Sequence, residues 1–188
     1  FNIFKRLHDK FGKDLKVSVS LDAIEKQYDW IRSSSWERLV DNTNKLYSEV
    51  PNFKYNCSIT LTIYNYFNLC ETFDGISKLK NSSGITGRLA TNPRYLSHPF
   101  IVPKNIRNDY TLLYKEKIVG NRKYHSQLNN EWVCIDPPHI TVGGKCNLEK
   151  EYEEGRKNLK EFTDFMNKIR GFNIQDVSPK FGEFYESL

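Results

Sequence analysis

The sequence predicts an α/β protein built on a parallel sheet, and three observations carry that prediction. In Lys16 to Asp22, Val17, Val19 and Leu21 alternate with Ser18, Ser20 and Asp22, the period-two pattern of a strand with one apolar and one polar face. Two more alternating stretches follow, Ser58 to Tyr64 and Ile85 to Thr91, each preceded by a segment with apolar residues at three-four spacing. Strand, helix, strand, helix, strand at these lengths is the rhythm of parallel strands joined by right-handed crossovers.

Taken in order, residues 1 to 13 read as a helix with Ile3, Phe4, Leu7 and Phe11 in one stripe and Gly12 as its stop. The first strand, 15 to 21, follows and ends in Ser20 and Asp22, from which a short helix leads to Arg32, twelve residues after Ser20. Ser34 and Glu37 have capping-box spacing before a helix from Trp36 to about Val50, which Pro51 ends. In the second strand Ile59, Leu61 and Ile63 oppose Thr60, Thr62 and Tyr64. Asn65 closes it, and Asn68 with Glu71 can cap a helix striped by Leu69, Phe73, Ile76 and Leu79. Ser82-Ser83-Gly84 reads as a turn into the third strand, which Asn92-Pro93 terminates because proline lacks a ladder donor.

A helix is predicted over 105 to 118, around Ile106, Tyr110, Leu113 and Ile118. From Val119 to Asn147 the composition turns to Gly, Asn and Pro and reads as a hairpin-like or irregular insertion. Leu148 to Arg170 is the longest helix, with Leu159, Phe162, Met166 and Ile169 in one stripe and Gly171 as its cap. The chain thus divides into 1-118, carrying the strands, and 119-188, a mostly helical and irregular C-terminal extension.

Across the 188 residues, 38% are hydrophobic and 27% charged, enough apolar surface for a core with a well-solvated exterior. The longest apolar runs fall far short of the roughly 20 residues that span a bilayer, and the first residues lack the apolar segment of a signal peptide. No membrane partner is therefore expected. The net charge of +5 is diffuse, with no basic stripe longer than Arg122 to Tyr124, so no nucleic-acid partner is expected either. Cys57, Cys70, Cys134 and Cys146 form no C-x-x-C pair. That usage fits free thiols in a reducing compartment, and a cytoplasmic location is the expectation. A chain that begins at Phe1 suggests a processed product, an excised domain or an incomplete reading frame.

Ligands of parallel α/β sheets bind beyond the carboxyl ends of the strands, where Ser20 and Asp22 fall and to which Arg32 returns a cation. A Ser-x-Asp at a strand end also serves as turn chemistry, bonding nearby amides, and a strand-ending Asn such as Asn65 makes an Asx turn. The residues leave both readings open.

The run VSLDAIEKQYDWIR followed by SSSWERLVDNTNKL resembles the fourth strand and following helix of radical S-adenosylmethionine (SAM) enzymes, especially those with a twitch or SPASM extension. ITLTIYNYFNL is similar to the fifth strand and RLATNPRYLSHPFIVPKNI to the sixth, while FMNKIRGFNIQDVSPKF resembles the closing segment of twitch-bearing members. The resemblance implies the C-terminal half of a partial (β/α)6 TIM-like barrel. It implies SAM as cofactor, with Ser20 on the ribose or amino-acid portion, Arg32 on the carboxylate, Asp22 supporting the turn and Asn65 facing the cavity. A substrate, in many such relatives a peptide, would lose hydrogen to the 5′-deoxyadenosyl radical.

The family's C-x3-C-x2-C loop, which holds its [4Fe-4S] cluster, and its Gly-Gly-Glu element do not occur in this sequence. The cluster is expected only from a missing N-terminal half, and the chain alone is expected to be inactive. The open edge of the first strand would then be covered by that half or by another protomer. Cys134, His139 and Cys146, spaced C-x4-H-x6-C, are candidates for zinc or an auxiliary cluster, against free thiols as the plainer reading. There is no P-loop, G-x-S-x-G or G-x-G-x-x-G. The rival to the enzyme is a non-catalytic α/β module that uses the same strand ends to bind a partner or small ligand.

Overall fold

The computed structural model describes residues 2–90, 92–97, 101–118 and 148–188. Its elements, in chain order, are α1 (Asn2–Phe11), β1 (Ser18–Ser20), α2 (Glu25–Arg32), α3 (Trp36–Glu49), β2 (Tyr55–Leu61), α4 (Ile63–Tyr66), α5 (Leu69–Ser77), β3 (Ser82–Leu89), α6 (Lys104–Lys117), α7 (Leu148–Arg170), α8 (Ile174–Val177) and α9 (Pro179–Glu186). The three strands form one open sheet in the order β1-β2-β3, with every neighbour parallel. Helices α2 and α3 cross from β1 to β2, and α4 and α5 cross from β2 to β3. The α/β class and the parallel sheet stand as predicted.

Alternation gives the sheet two unlike faces. Tyr55, Cys57, Ile59 and Leu61 of β2 and Ile85 of β3 are buried against Leu69, Phe73 and Ile76 of α5 and the aromatic residues of α2 and α4. The opposite face carries Ser18 and Ser20 on β1, Asn56, Ser58 and Thr60 on β2, and Thr86 and Arg88 on β3, all exposed or half-buried. Parallel sheets are ordinarily covered by apolar layers on both faces. Here one face is polar, half-buried on β2 and exposed toward β1, and among the described residues no strand pairs with the outer edge of β1.

Several boundaries differ from the sequence prediction. The first strand is only Ser18–Ser20, because Asp22 leaves the ladder to bond from its side chain. β2 runs Tyr55–Leu61, three residues earlier than predicted, since Tyr55 and Cys57 extend the buried alternation; Thr62 to Tyr64, predicted as strand, instead enters α4. The stretch predicted as the turn Ser82-Ser83-Gly84 is already strand, bulged against Tyr55 and Asn56 and tied by Ser83 Oγ donating to the Tyr55 carbonyl at 2.9 Å. The turn falls on Asn81, whose φ of 64° an asparagine accepts better than most residues. Ser35, not Ser34, caps α3 by accepting the Arg38 amide at 3.1 Å. Gly171, at φ 75°, ends α7 as predicted.

The described part of 119-188 shares the core of the strand half. Trp30, Tyr64 and Phe181 pack ring against ring in tilted contacts, with centroids 4.8 and 5.2 Å apart. Around them, the Trp30 indole donates to Asn167 Oδ1 at 3.0 Å, Tyr64 and Thr163 share a hydroxyl bond of 2.9 Å, and Arg170 donates to the Trp30 carbonyl at 2.8 Å. Asn167 Oδ1 also accepts the Ile174 amide at 2.9 Å, which sets the start of α8. No helix among the described residues is long and apolar enough to cross a membrane.

Candidate functional site at the carboxyl end of the sheet

Three of the four side chains singled out in the sequence meet where β1 and β2 end. The ladder between the strands runs from the Asn56 amide on the Val17 carbonyl, 2.9 Å, to the Leu21 amide on the Ser58 carbonyl, 2.8 Å. Beyond that rung the strands part, and side chains replace the main chain. The Thr60 amide donates to Asp22 Oδ1 at 2.7 Å, and the Thr60 carbonyl accepts from Asn65 Nδ2 at 2.9 Å. The same Asn65 amide group donates to the Asp22 carbonyl at 2.7 Å, while Asn65 Oδ1 accepts the Thr62 amide at 2.8 Å. Asn65 is fully buried, and its amide closes both the strand end and the first turn of α4.

Arg32 completes the cluster. Its Nη2 lies 2.6 Å from Asp22 Oδ2, with the Asp22 side chain 7% exposed and that of Arg32 32% exposed. Burial pushes the Asp22 carboxyl above the ordinary carboxylate value, against the opposing pull of the Thr60 amide and the Arg32 guanidinium. The entry into α2 is also strained: Glu25, its first residue, sits at φ 51°, a region costly for a residue with a Cβ. Such a conformation persists where the surroundings over-determine it, and here the Asp22 bonds fix one side of the turn.

Ser20 stands apart from this cluster. It is exposed on the polar face, in register with Ser58, and its hydroxyl has no hydrogen-bond partner among the described residues. The structure therefore brings Asp22, Arg32 and Asn65 into one bonded group and leaves Ser20 beside it, facing solvent. The site residues that the sequence reading passed over are Ser58, Thr60, Thr86 and Arg88. The alternation of β2 and β3 marks their face, but only the register assembles them into rows.

The remaining groups are less suited to ligand chemistry. Burial raises the Cys57 thiol, which faces Ser82 at 3.4 Å, and pushes that of Cys70 up to about 11, so both are protonated near neutral pH. Among the described residues no cluster of His, Cys, Asp and Glu could hold a metal ion; Cys134, His139 and Cys146 lie outside them. A cleft of about 530 Å³ opens between the α2–α3 turn and the end of α7. There Arg170 donates to Ser33 Oγ and Asp29 accepts the Trp36 amide, so much of its polar lining is already paired. Comparison of the chain with protein-family models, with curated proteins and with solved structures finds no match.

Proposed function

We propose that the carboxyl end of this sheet is a small-molecule site, and that the chain is the C-terminal part of a radical SAM enzyme whose partial (β/α)6 barrel it would continue. The observation that supports this reading best is the convergence of Asp22, Arg32 and Asn65 at the end of a sequentially ordered parallel sheet with one polar, half-buried to exposed face. Such a face is what the inside of an unfinished barrel would present. In this reading the Ser20 hydroxyl bonds the ribose or amino-acid portion of SAM, Arg32 holds its carboxylate, Asp22 and Asn65 fix the mouth, and an unidentified substrate, peptide among the candidates, lies beyond. SAM would supply the hydrogen-abstracting adenosyl group once reduced. No three-thiolate loop for the reducing [4Fe-4S] cluster is present in the sequence, so that electron must come from a further segment or another chain.

A non-catalytic ligand- or protein-binding module is the second reading, and one observation favours it. Both Asp22 carboxylate oxygens and both ends of the Asn65 amide are consumed by internal bonds, as in a cluster whose task is to hold two strands together. Calorimetry of the purified chain with SAM tests the first reading. Ser20→Ala and Arg32→Ala should each weaken binding by about tenfold, the loss of one hydrogen bond to a charged or strongly polar group. Equal affinity in all three proteins would remove the site assignment, and no binding by the unaltered chain would leave the module as the better account.

A further inference from the structure

The open polar face carries more than the four residues above. Pairing sets Ser20 beside Ser58 and Ser58 beside Thr86 in one row across the sheet, and Thr60 beside Arg88 in the next row toward the carboxyl end. Asn56 Nδ2 donates to Thr86 Oγ1 at 2.9 Å, which orients that hydroxyl, whereas those of Ser20 and Ser58 have no partner among the described residues. Arg88 is exposed and has no ion pair or hydrogen bond among the described residues. The charge of Arg32 is already balanced by Asp22 at 2.6 Å. Across these two rows the one net positive charge is therefore that of Arg88.

We infer that Arg88 is the anion anchor of this face: it takes the carboxylate or phosphate of a hydroxylated small ligand whose body lies across the Ser20-Ser58-Thr86 row. The inference rests on the proposed function only for the place of the site, and it adds Arg88 as a second cation to the anion contact that the resemblance gives to Arg32. Neighbouring strands lie about 4.8 Å apart, so from β1 to β3 the row spans about 10 Å, a length that suits a nucleoside or sugar with an acidic tail. Arginine meets a carboxylate or phosphate through two parallel donors, and a guanidinium freed of internal partners loses no existing bond in doing so.

Two sources share this chemistry, the amino-acid carboxylate of SAM and the phosphate of another hydroxylated metabolite, and binding to the purified chain separates them. Calorimetry with SAM and with methylthioadenosine, which has the nucleoside but no carboxylate, is run on the unaltered chain and on Arg88→Gln. In parallel, ribose 5-phosphate is titrated while the Arg88 Nε–H and the Ser58 and Thr86 amides are followed by NMR. Arg88→Gln should lower SAM affinity by about tenfold, leave methylthioadenosine unchanged and leave the thermal midpoint where it was, with Arg88→Lys recovering part of the loss. If SAM gives no heat but ribose 5-phosphate moves the three resonances in an Arg88-dependent way, the SAM reading fails and the anchor stands. If SAM binds equally to the unaltered chain and to Arg88→Gln, the anchor is overturned and the SAM reading survives. Silence toward both SAM and ribose 5-phosphate overturns the two together.

Discussion

Asp22 decides most at the scale of single residues, because it is ionisable, buried and bonded three ways. Its folded-state pKa is raised above the ordinary 3.8, so ionising it costs more in the folded chain than in the unfolded one. The stability that this group contributes is then complete below the unfolded value and is lost as pH rises through the folded value. Asp22→Asn keeps an acceptor for the Thr60 amide but carries no charge to desolvate. Urea midpoints of Asp22→Asn and the unaltered chain should therefore lie close near pH 4 and separate in favour of the variant toward pH 7. Curves that stay parallel would show that Arg32 and the Thr60 amide outweigh the burial. Asp22, Arg32 and Asn65 were all legible in the sequence as polar residues at strand and helix ends. Their bonding was not, since much of it runs to main-chain groups of Asp22, Thr60 and Thr62, which no side-chain pattern advertises. Arg88 was illegible for a similar reason: a lone arginine on a strand acquires meaning only from the neighbour that the register gives it.

Among elements, helices were read more closely than strands. The predicted spans of α3, α6 and α7 agree with the observed ones within one or two residues, because a three-four stripe over fourteen or twenty-three positions leaves little freedom of phase. The strand ends were misread, β1 starting three residues later than predicted and β2 and β3 three residues earlier, because those ends were read from Ser, Asn and Tyr, which serve in turns and at strand ends alike. How α5 seats against the turn into α2 was invisible beforehand. A Cβ on Gly75 would stand 2.6 Å from Ile24 Cγ2, a branch atom next to the backbone that cannot swing aside. Gly75→Ala should cost about 1–3 kcal/mol by overpacking, despite alanine's better helix propensity. An urea midpoint equal to or above that of the unaltered chain would contradict this packing.

For the whole molecule, the decisive contacts join residues far apart in the chain. Phe181, fully buried, covers Tyr64, which in turn lies against Trp30. Phe181→Ala should lose about 3–5 kcal/mol, the usual cost of emptying an aromatic site in a core, and urea denaturation of the variant measures it. A loss below about 1 kcal/mol would mean that α9 merely leans on the surface. No local signal announced this closure, which is a chain of tilted ring contacts joining residues more than a hundred positions apart. That arrangement bears on biosynthesis. During translation the Trp30 and Tyr64 rings leave the ribosome long before their cover does, and a nascent chain stalled ahead of position 181 would present a sticky aromatic surface to chaperones and proteases until the final helix arrives.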